Sequence, residues 1–343
     1  MTSILVTGGA GYIGSHTCKA LRQAGFTPVV YDDLSRGNPE AVKWGELVAG
    51  ELADRALLRA TFERCRPAAV VHFAAYAYVG ESTANPALYY RNNVGGTAEL
   101  ISAMHDCGVR HVVFSSSCAV YGVPRAVPIP EDDPLDPVNP YGATKAACER
   151  MLRDCAAAAR LTFMALRYFN PVGAHESGRL GEDPRGIPNN LMPFIMQVAA
   201  GRHPEIKVFG DDYDTPDGTG VRDYVHVVDL ADAHVRALRD LLSGGESACL
   251  NIGTGRGWSV REAIETARAV TGRDIPLRIG PRRPGDPPEL VSNPARARDR
   301  LGWAPRYPAL AQQIAHAWAW RQSGQRAFKR ARAVAAAGPA RVG

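Results

Sequence analysis

Tyr141 and Lys145 lie four residues apart in Tyr141-Gly142-Ala143-Thr144-Lys145, and no other tyrosine of the chain has a lysine at that spacing. On a helix the pair would share one face, a turn apart. A free phenol titrates near pH ~10. A neighbouring ammonium, joined by the positive ring of an oxidised nicotinamide, would stabilise the phenolate and bring it toward working pH. Tyr141 would then be an acid and base beside a hydride acceptor. Lysine is scarce here: of forty Lys plus Arg only five are lysines, at 19, 43, 145, 207 and 329, so this one is informative. Ser115-Ser116-Ser117 supplies hydroxyls, one of which could hold the reacting oxygen. Without a cofactor site, the tyrosine and lysine would be no more than an exposed helix pair.

A cofactor site is written near the start of the chain. Gly8-Gly9-Ala10-Gly11-Tyr12-Ile13-Gly14 follows an apolar run and opens a helical pattern; within it Gly9-x-Gly11-x-x-Gly14 fits the dinucleotide fingerprint, with Gly8 as an extra glycine. Such glycines allow a tight turn, close approach of a pyrophosphate, and packing of helix on strand, while the helix N-terminus faces the phosphate charge. A purely structural strand–helix turn would look similar. Asp32, eighteen residues beyond Gly14 and at the end of the next apolar run, argues for the cofactor. Its carboxylate can accept from the adenosine ribose hydroxyls and would repel a 2′-phosphate, which favours NAD over NADP. Arg36 nearby keeps an opening for NADP.

These groups need a scaffold, and the first 170 residues supply its pattern. Ile4–Thr7, Pro28–Tyr31, Ala69–His72, His111–Ser115 and Thr162–Tyr168 read as buried strands. Helical patterns fall near 12–24, 55–65, 86–107 and 142–159, with Pro86 at a first turn and Pro140 ahead of another. This alternation predicts parallel strands joined by right-handed crossovers, hence an α/β fold with a doubly wound sheet. Beyond Phe169 the chain turns loop-rich over 171–190, with further helices expected at 191–200, 229–242, 259–271 and 308–322. Ser259 and Glu262 form a capping box. Residues 210–220 and 280–288 read as loops folded over something rather than as linkers. The expected division is a cofactor domain over 1–170, a smaller C-terminal α/β substrate domain over 171–324 from which some segments return to the first, and a flexible Ala/Arg-rich tail over 325–343.

Composition excludes several classes. Hydrophobic residues are 45% and charged residues 22%, which is globular rather than disordered. No apolar run approaches a membrane span, and the strand-like start leaves no room for a secretory signal, so no membrane partner is expected. The seven cysteines are odd in number and form no C-x-x-C pair, which points to free thiols in a reducing cytoplasm. A formal charge of +5 over 343 residues is too dilute for a nucleic-acid surface. His226 has no second ligand at metal spacing, so no metal is expected.

The glycine loop, the serine strand and Y-x-x-x-K, in this order, resemble the extended short-chain dehydrogenase/reductase family with its Rossmann sheet, whose members act on nucleotide sugars. Longer stretches are narrower: Gly8–Thr17 (GGAGYIGSHT), Arg167–Ala174 (RYFNPVGA), Gly181–Pro193 (GEDPRGIPNNLMP) and Asp217–His226 (DGTGVRDYVH). Together they resemble the UDP-glucose 4-epimerases over residues 2 to about 322. The resemblance implies that tightly held NAD takes hydride from C4 of a UDP-hexose while Tyr141 takes the O4 proton. The 4-keto sugar then turns and receives hydride on its other face. Catalysis would rest on Ser117, Tyr141 and Lys145.

By the same resemblance NAD would lie along Gly8, Gly11, Tyr12, Ile13 and Gly14. Its adenosine end would meet Asp32, Asp33, Leu34 and Ser35, with Glu51 and Leu52 near the adenine. Phe73, Ala74, Ala75 and Asn92 would follow the cofactor inward to Tyr168 and Phe169, where Ser117, Tyr141 and Lys145 reach it. Asn170, Asn190 and Leu191 would line the substrate and Phe209 the uracil. Arg222 and Arg283 would hold the diphosphate, a task suited to the guanidinium fork, and Asp286 would accept from the uridine ribose. A homodimer is expected through the helices near 86–107 and 142–159.

The chain departs from the family pattern at Ala77, where some epimerases carry a lysine that contacts the cofactor, and mildly at Glu51, usually aspartate. Leu290 stands at the position that gates bulk at the sugar 2-position; it is intermediate in size and leaves N-acetylated sugars undecided. Rival readings are a UDP-pentose or UDP-uronate 4-epimerase, with the same mechanism, and a non-catalytic NAD-binding sensor. A 4,6-dehydratase would need an acidic pair after the serine strand, where Cys118 and Ala119 stand.

Overall fold

The structure is a computed structural model that describes residues 1–324 apart from 185–187, 189 and 284. The expected tail over 325–343 and the centre of the Gly181–Pro193 motif lie outside the described residues.

Six strands open the chain: β1 (Ser3–Thr7), β2 (Thr27–Asp32), β3 (Glu46–Ala49), β4 (Ala69–His72), β5 (His111–Ser117) and β6 (Thr162–Tyr168). Short strands β7 (Asn170–Val172), β8 (Ile206–Phe209) and β9 (Val221–His226) follow, then β10 (Ala248–Ile252), β11 (Gly257–Ser259), β12 (Leu277–Gly280) and β13 (Glu289–Leu290). The main sheet runs in the order β10-β6-β5-β4-β1-β2-β3, parallel throughout. The order reverses between β1 and β4. In doubly wound sheets the crevice outside the strand C-termini at that point is where ligands bind.

Strand β1 shows why the sheet needs helices on both faces. Ile4 and Val6 enter one apolar cluster with Leu21, Leu230, Leu238 and Trp303, while Leu5 enters the opposite cluster with Leu58, Phe62, Leu100 and Leu152. Alternate side chains point to opposite faces, and both faces are dry. The covering helices are α1 (Tyr12–Gln23), α2 (Arg55–Cys65), α3 (Val79–Ala84), α4 (Pro86–Tyr89), α5 (Gly96–Asp106), α6 (Pro140–Ala157), α7 (Leu191–Ala199) and α8 (Val227–Leu242). The last three are α9 (Val260–Thr271), α10 (Ala295–Leu301) and α11 (Leu310–Ala319). A third apolar cluster, with Met192, Ile195, Ile264 and Ile314, lies among α7, α9, α11 and the small sheets.

The sequence reading did not name α3, α10 or the short strands β7–β9 and β11–β13, and three further features depart from it. Strands β3 and β10 have no strong sequence signal: β3 is short, carries Glu46 on an exposed edge, and its four residues are only half-buried or exposed. Strand β10 completes the main sheet although it lies beyond residue 170, and α8 packs on α1. The single helix expected over 86–107 is divided: residues Tyr90–Gly95 form a wider π-turn between α4 and α5. That turn lets Asn93 face inward, as described below. Among the described residues no helix is long and apolar enough to cross a membrane, no group of three His, Cys, Asp or Glu could hold a metal ion, and the seven cysteines are free.

Candidate active site

The glycine loop is shaped by contacts that only glycine permits. Gly8 takes φ +71°, and a Cβ there would lie 2.6 Å from the Ala74 nitrogen; one on Gly14 would lie 2.3 Å from the Gly8 carbonyl oxygen. The loop can therefore sit against the chain leaving β4 while α1 closes on β1. Gly11 caps α1 without a side chain, so no side chain caps the first turn, and Gly11, Tyr12, Ile13 and Gly14 line the cleft. Such a terminus fits a pyrophosphate. The Tyr12 hydroxyl donates to the Gly173 carbonyl at 2.7 Å, tying this helix to β7.

At the end of β2 the Asp32 carboxylate accepts N–H groups from Ala10 and Leu34, both at 2.9 Å. It is thus fixed against the glycine loop, and faces the cleft with Asp33 and Ser35. Ser35 donates its amide and hydroxyl to Asp33. Leu34 instead turns toward the apolar core beside α1 and does not line the cleft. Arg36, the residue that left room for NADP, pairs with Glu81 at 2.6 Å. Glu51, Leu52, Phe73, Ala74, Ala75 and Asn92 complete the wall on this side.

The residues expected to do chemistry come together at the ends of β5 and α6. Asn139 caps α6 by accepting from the Gly142 N–H, and Pro140 occupies its first position, so Tyr141 stands in the first turn over the cleft. Ser117 faces the same cleft beside Tyr141 and acts to lower the Tyr141 phenol. Tyr168, 2.7 Å from the Ser115 hydroxyl, and Phe169 line the floor.

Lys145 shares the helix with Tyr141 as expected, and its ammonium turns inward. It lies one turn from Tyr141, but its ammonium donates to the Ser115 carbonyl at 2.8 Å, sits 6.0 Å from the Tyr141 ring centre, and does not line the cleft. Burial pushes Lys145 down to about 8. Burial, then Tyr168, pushes the Tyr141 phenol above its ordinary range, and only neighbouring Ser117 among the leading influences acts the other way. The expected lowering by Lys145 therefore does not emerge from the protein's own groups: desolvation wins, and the cation is engaged by a carbonyl.

The cleft, about 1230 Å³, continues past Tyr141 into the second lobe. Asn170, Asn190 and Leu191 line it, as do Phe209, Arg222, Arg283, Asp286 and Leu290. The Arg283 guanidinium carbon lies 3.9 Å over the Phe209 ring. Arg222 and Asp286, expected to take different parts of a ligand, form a direct ion pair at 2.5 Å, and the same guanidinium donates to the carbonyls of Val221, Pro287 and Pro288. Leu290 packs with Phe169 and Cys118.

Other residues here were given no role from the sequence. The buried Asn93 amide accepts from the Tyr76 N–H and donates to the Tyr76 carbonyl and Thr144, fastening the loop after β4 to the helix of Tyr141. Ser82 accepts the Tyr141 N–H at 3.2 Å. Glu182 lines the cleft, where burial pushes its carboxyl up to about 8. Beneath the site, buried Arg167 and Glu149 pair at 2.7 Å, and Ser116 donates to the same carboxylate.

Comparison with known proteins agrees with this geometry. The model of the NAD dependent epimerase/dehydratase family matches residues 4–253. A UDP-glucose 4-epimerase of Bacillus subtilis (strain 168) is 48% identical, covering 96% of this chain and 99% of that one. The crystal structure of UDP-glucose 4-epimerase from Brucella ovis in complex with NAD is 50% identical, with TM-score 0.89 over 93% of this chain and 98% of that one. A Stenotrophomonas maltophila UDP-glucose-4-epimerase with bound NAD and formylated UDP-arabinopyranose gives TM-score 0.92 at 44% identity, over 95% of this chain and 100% of that one. With the matched residues running from the glycine loop through the serine strand and Tyr141 to the end of β10, this chain belongs to the NAD dependent epimerase/dehydratase family.

Proposed function

We propose that the chain is a UDP-glucose 4-epimerase that interconverts UDP-glucose and UDP-galactose through a 4-keto sugar, with NAD bound throughout. The observation that carries this reading is the continuity of one cleft. It joins a glycine cradle too tight for any Cβ at Gly8 or Gly14, the buried Tyr141–Ser117 pair, and the Arg222, Asp286 and Phe209 cluster. The cradle and the fixed Asp32 carboxylate fit a dinucleotide with a free ribose 2′-hydroxyl. Bound NAD supplies the acceptor and returning donor of the C4 hydride, together with a positive ring that favours the phenolate.

The chain's own groups do the rest. Tyr141 holds the O4 proton while the sugar is a ketone and returns it afterwards. Ser117 donates to the reacting oxygen and keeps the phenol aligned. Lys145 fixes the end of β5 through the Ser115 carbonyl and places a buried positive charge below the ring. Arg222 and Arg283 hold the diphosphate, Phe209 stacks on the base, and Asp286 takes the uridine ribose. Asn170, Asn190 and Leu191 confine the sugar loosely enough to turn. A firm nucleotide grip and a loose sugar pocket are what a reversal of face requires. Residues 1–170, with α8 and β10, form the cofactor lobe, and most of 171–324 the substrate lobe.

The bound UDP-arabinopyranose derivative of the Stenotrophomonas maltophila protein favours a second reading, a UDP-pentose 4-epimerase with the same mechanism. An NMR panel of UDP-glucose, UDP-galactose, UDP-GlcNAc, UDP-xylose and UDP-glucuronate separates them. Equilibration of UDP-glucose with UDP-galactose supports the first reading; inertness toward both, with turnover of a pentose, replaces it. The protein acts in the cytoplasm as a homodimer joined across α4–α5 and α6, where Tyr90 presents an exposed ring (46%). A monomeric mass by light scattering at micromolar concentration would remove the dimer.

A further inference from the structure

Beside Asp32 the cleft has two banks. One is the turn after β2, with Asp33, Ser35 and Arg36; the other is the segment between β4 and α3, with Tyr76, Ala77 and Tyr78. Arg36 crosses between them. Its guanidinium carbon lies 5.2 Å from the ring centres of both Tyr76 and Tyr78, and Nη2 donates to Glu81 at 2.6 Å.

The far bank is rigid. The other Glu81 oxygen lies 2.8 Å from the hydroxyl of fully buried Tyr89, which also accepts the Tyr78 N–H. Tyr76 is held at both its N–H and its carbonyl by Asn93. The near bank ends in an arginine whose side chain is 43% exposed. An ion pair this exposed is weak alone, but two ring faces add to it, and the three contacts must break together for the banks to part.

We propose that Arg36 is a latch on the cofactor cleft: by bridging to Tyr76, Tyr78 and Glu81 it joins the two banks and slows escape of the bound dinucleotide. The latch rests on the reading of this cleft as the NAD site. It also explains a use for Arg36 other than a 2′-phosphate, since its charge is turned across the cleft to Glu81. Arg36 acts through the wall it closes and touches no reacting atom, so it is a retention residue and not a catalytic one.

The test is the release rate of NAD+ from the full-length protein. Loaded protein is freed of excess cofactor by gel filtration and diluted into alcohol dehydrogenase with ethanol, which converts released NAD+ to fluorescent NADH. Arg36→Ala should speed release about tenfold, as loss of one ion pair and two ring contacts implies. Glu81→Gln should speed it severalfold, and the double variant should be no faster than Arg36→Ala alone. Arg36→Lys should fall between, because an ammonium can pair with Glu81 but lacks the planar, delocalised face a guanidinium offers to rings. The melting temperature of the cofactor-free protein should fall by no more than a few degrees in Arg36→Ala, and release should be faster well below it, which separates a latch from a structural strut. Release from Arg36→Ala at the wild-type rate overturns the latch, as does a selective loss of NADP+ binding with NAD+ release unchanged. If the wild-type chain binds no NAD+, the cofactor reading and the latch fall together; if it binds and the variant releases normally, the latch alone falls.

Discussion

Glu149 offers the sharpest test of how the fold holds the site, because one carboxylate makes two ion pairs of very different burial. With Arg167 it forms a forked pair, Nε and Nη2 at 2.9 and 2.7 Å, and both side chains are at most 2% exposed. With Arg153 it pairs at 2.8 Å, but that guanidinium is 41% exposed. Replacing Glu149 by Gln keeps the shape and removes the charge, so the Arg167 cation is left buried and uncompensated. Breaking a buried pair in this way costs about 3–5 kcal/mol, whereas an exposed pair contributes about 0–1 kcal/mol. Arg153→Ala should therefore cost no more than about 1 kcal/mol. Urea unfolding followed by fluorescence, with the slope checked for constancy, measures both. Because Ser116 also donates to Glu149, the end of β5 should loosen against α6 in Glu149→Gln, and turnover should fall along with stability. A loss below 1 kcal/mol in Glu149→Gln, or an equal loss in Arg153→Ala, would refute the assignment of the energy to burial.

Tyr141→Phe should cut turnover by orders of magnitude while NAD is still retained through gel filtration; activity near wild type would remove the mechanism. The burial-raised phenol must lose its proton to work, so kcat should climb with rising pH in a pH–rate profile. Arg222→Gln should raise KM for the UDP-sugar about tenfold or more with a smaller change in kcat, since a charge-assisted bond is worth about 1.5–3 kcal/mol; steady-state kinetics with an unaltered KM would contradict the diphosphate role. Burial lowers His16 to about 4, His72 to about 3 and His226 to about 3. A folded value below the unfolded one means that the unfolded chain binds the proton first. Stability should then fall as pH drops from about 6.5 toward 4, and a flat melting temperature across that window would show that these histidines do not titrate as buried groups.

The parallel sheet was legible because β1, β2, β4, β5 and β6 are dry on both faces and must be continuous apolar runs. Strand β3, at an edge, has no such demand and reads as loop. Strand β10 is remote in sequence from the sheet it completes, so no local pattern announces its membership. The division of the 86–107 helix has a local trace in Asn92-Asn93 and Gly95-Gly96, but the purpose of the wider turn is visible only where Asn93 meets Tyr76 and Thr144. Spacing put Tyr141 and Lys145 on one face correctly as a matter of geometry; it could not say that the lysine would turn to the Ser115 carbonyl.

What the sequence determined by itself are the groups whose chemistry depends on near neighbours in the chain: the glycine loop that opens α1, the tyrosine one turn ahead of a lysine, and the alternation that builds a doubly wound sheet. Tertiary structure alone decided the balance of forces on those groups. Desolvation, which raises the Tyr141 phenol, depends on how much protein surrounds it from every direction. The pairing of Arg222 with Asp286 and of Arg36 with Glu81 joins residues 64 and 45 positions apart. Neither burial nor such distant pairing is a property of local spacing, because both arise only when separate segments of the chain are brought into contact.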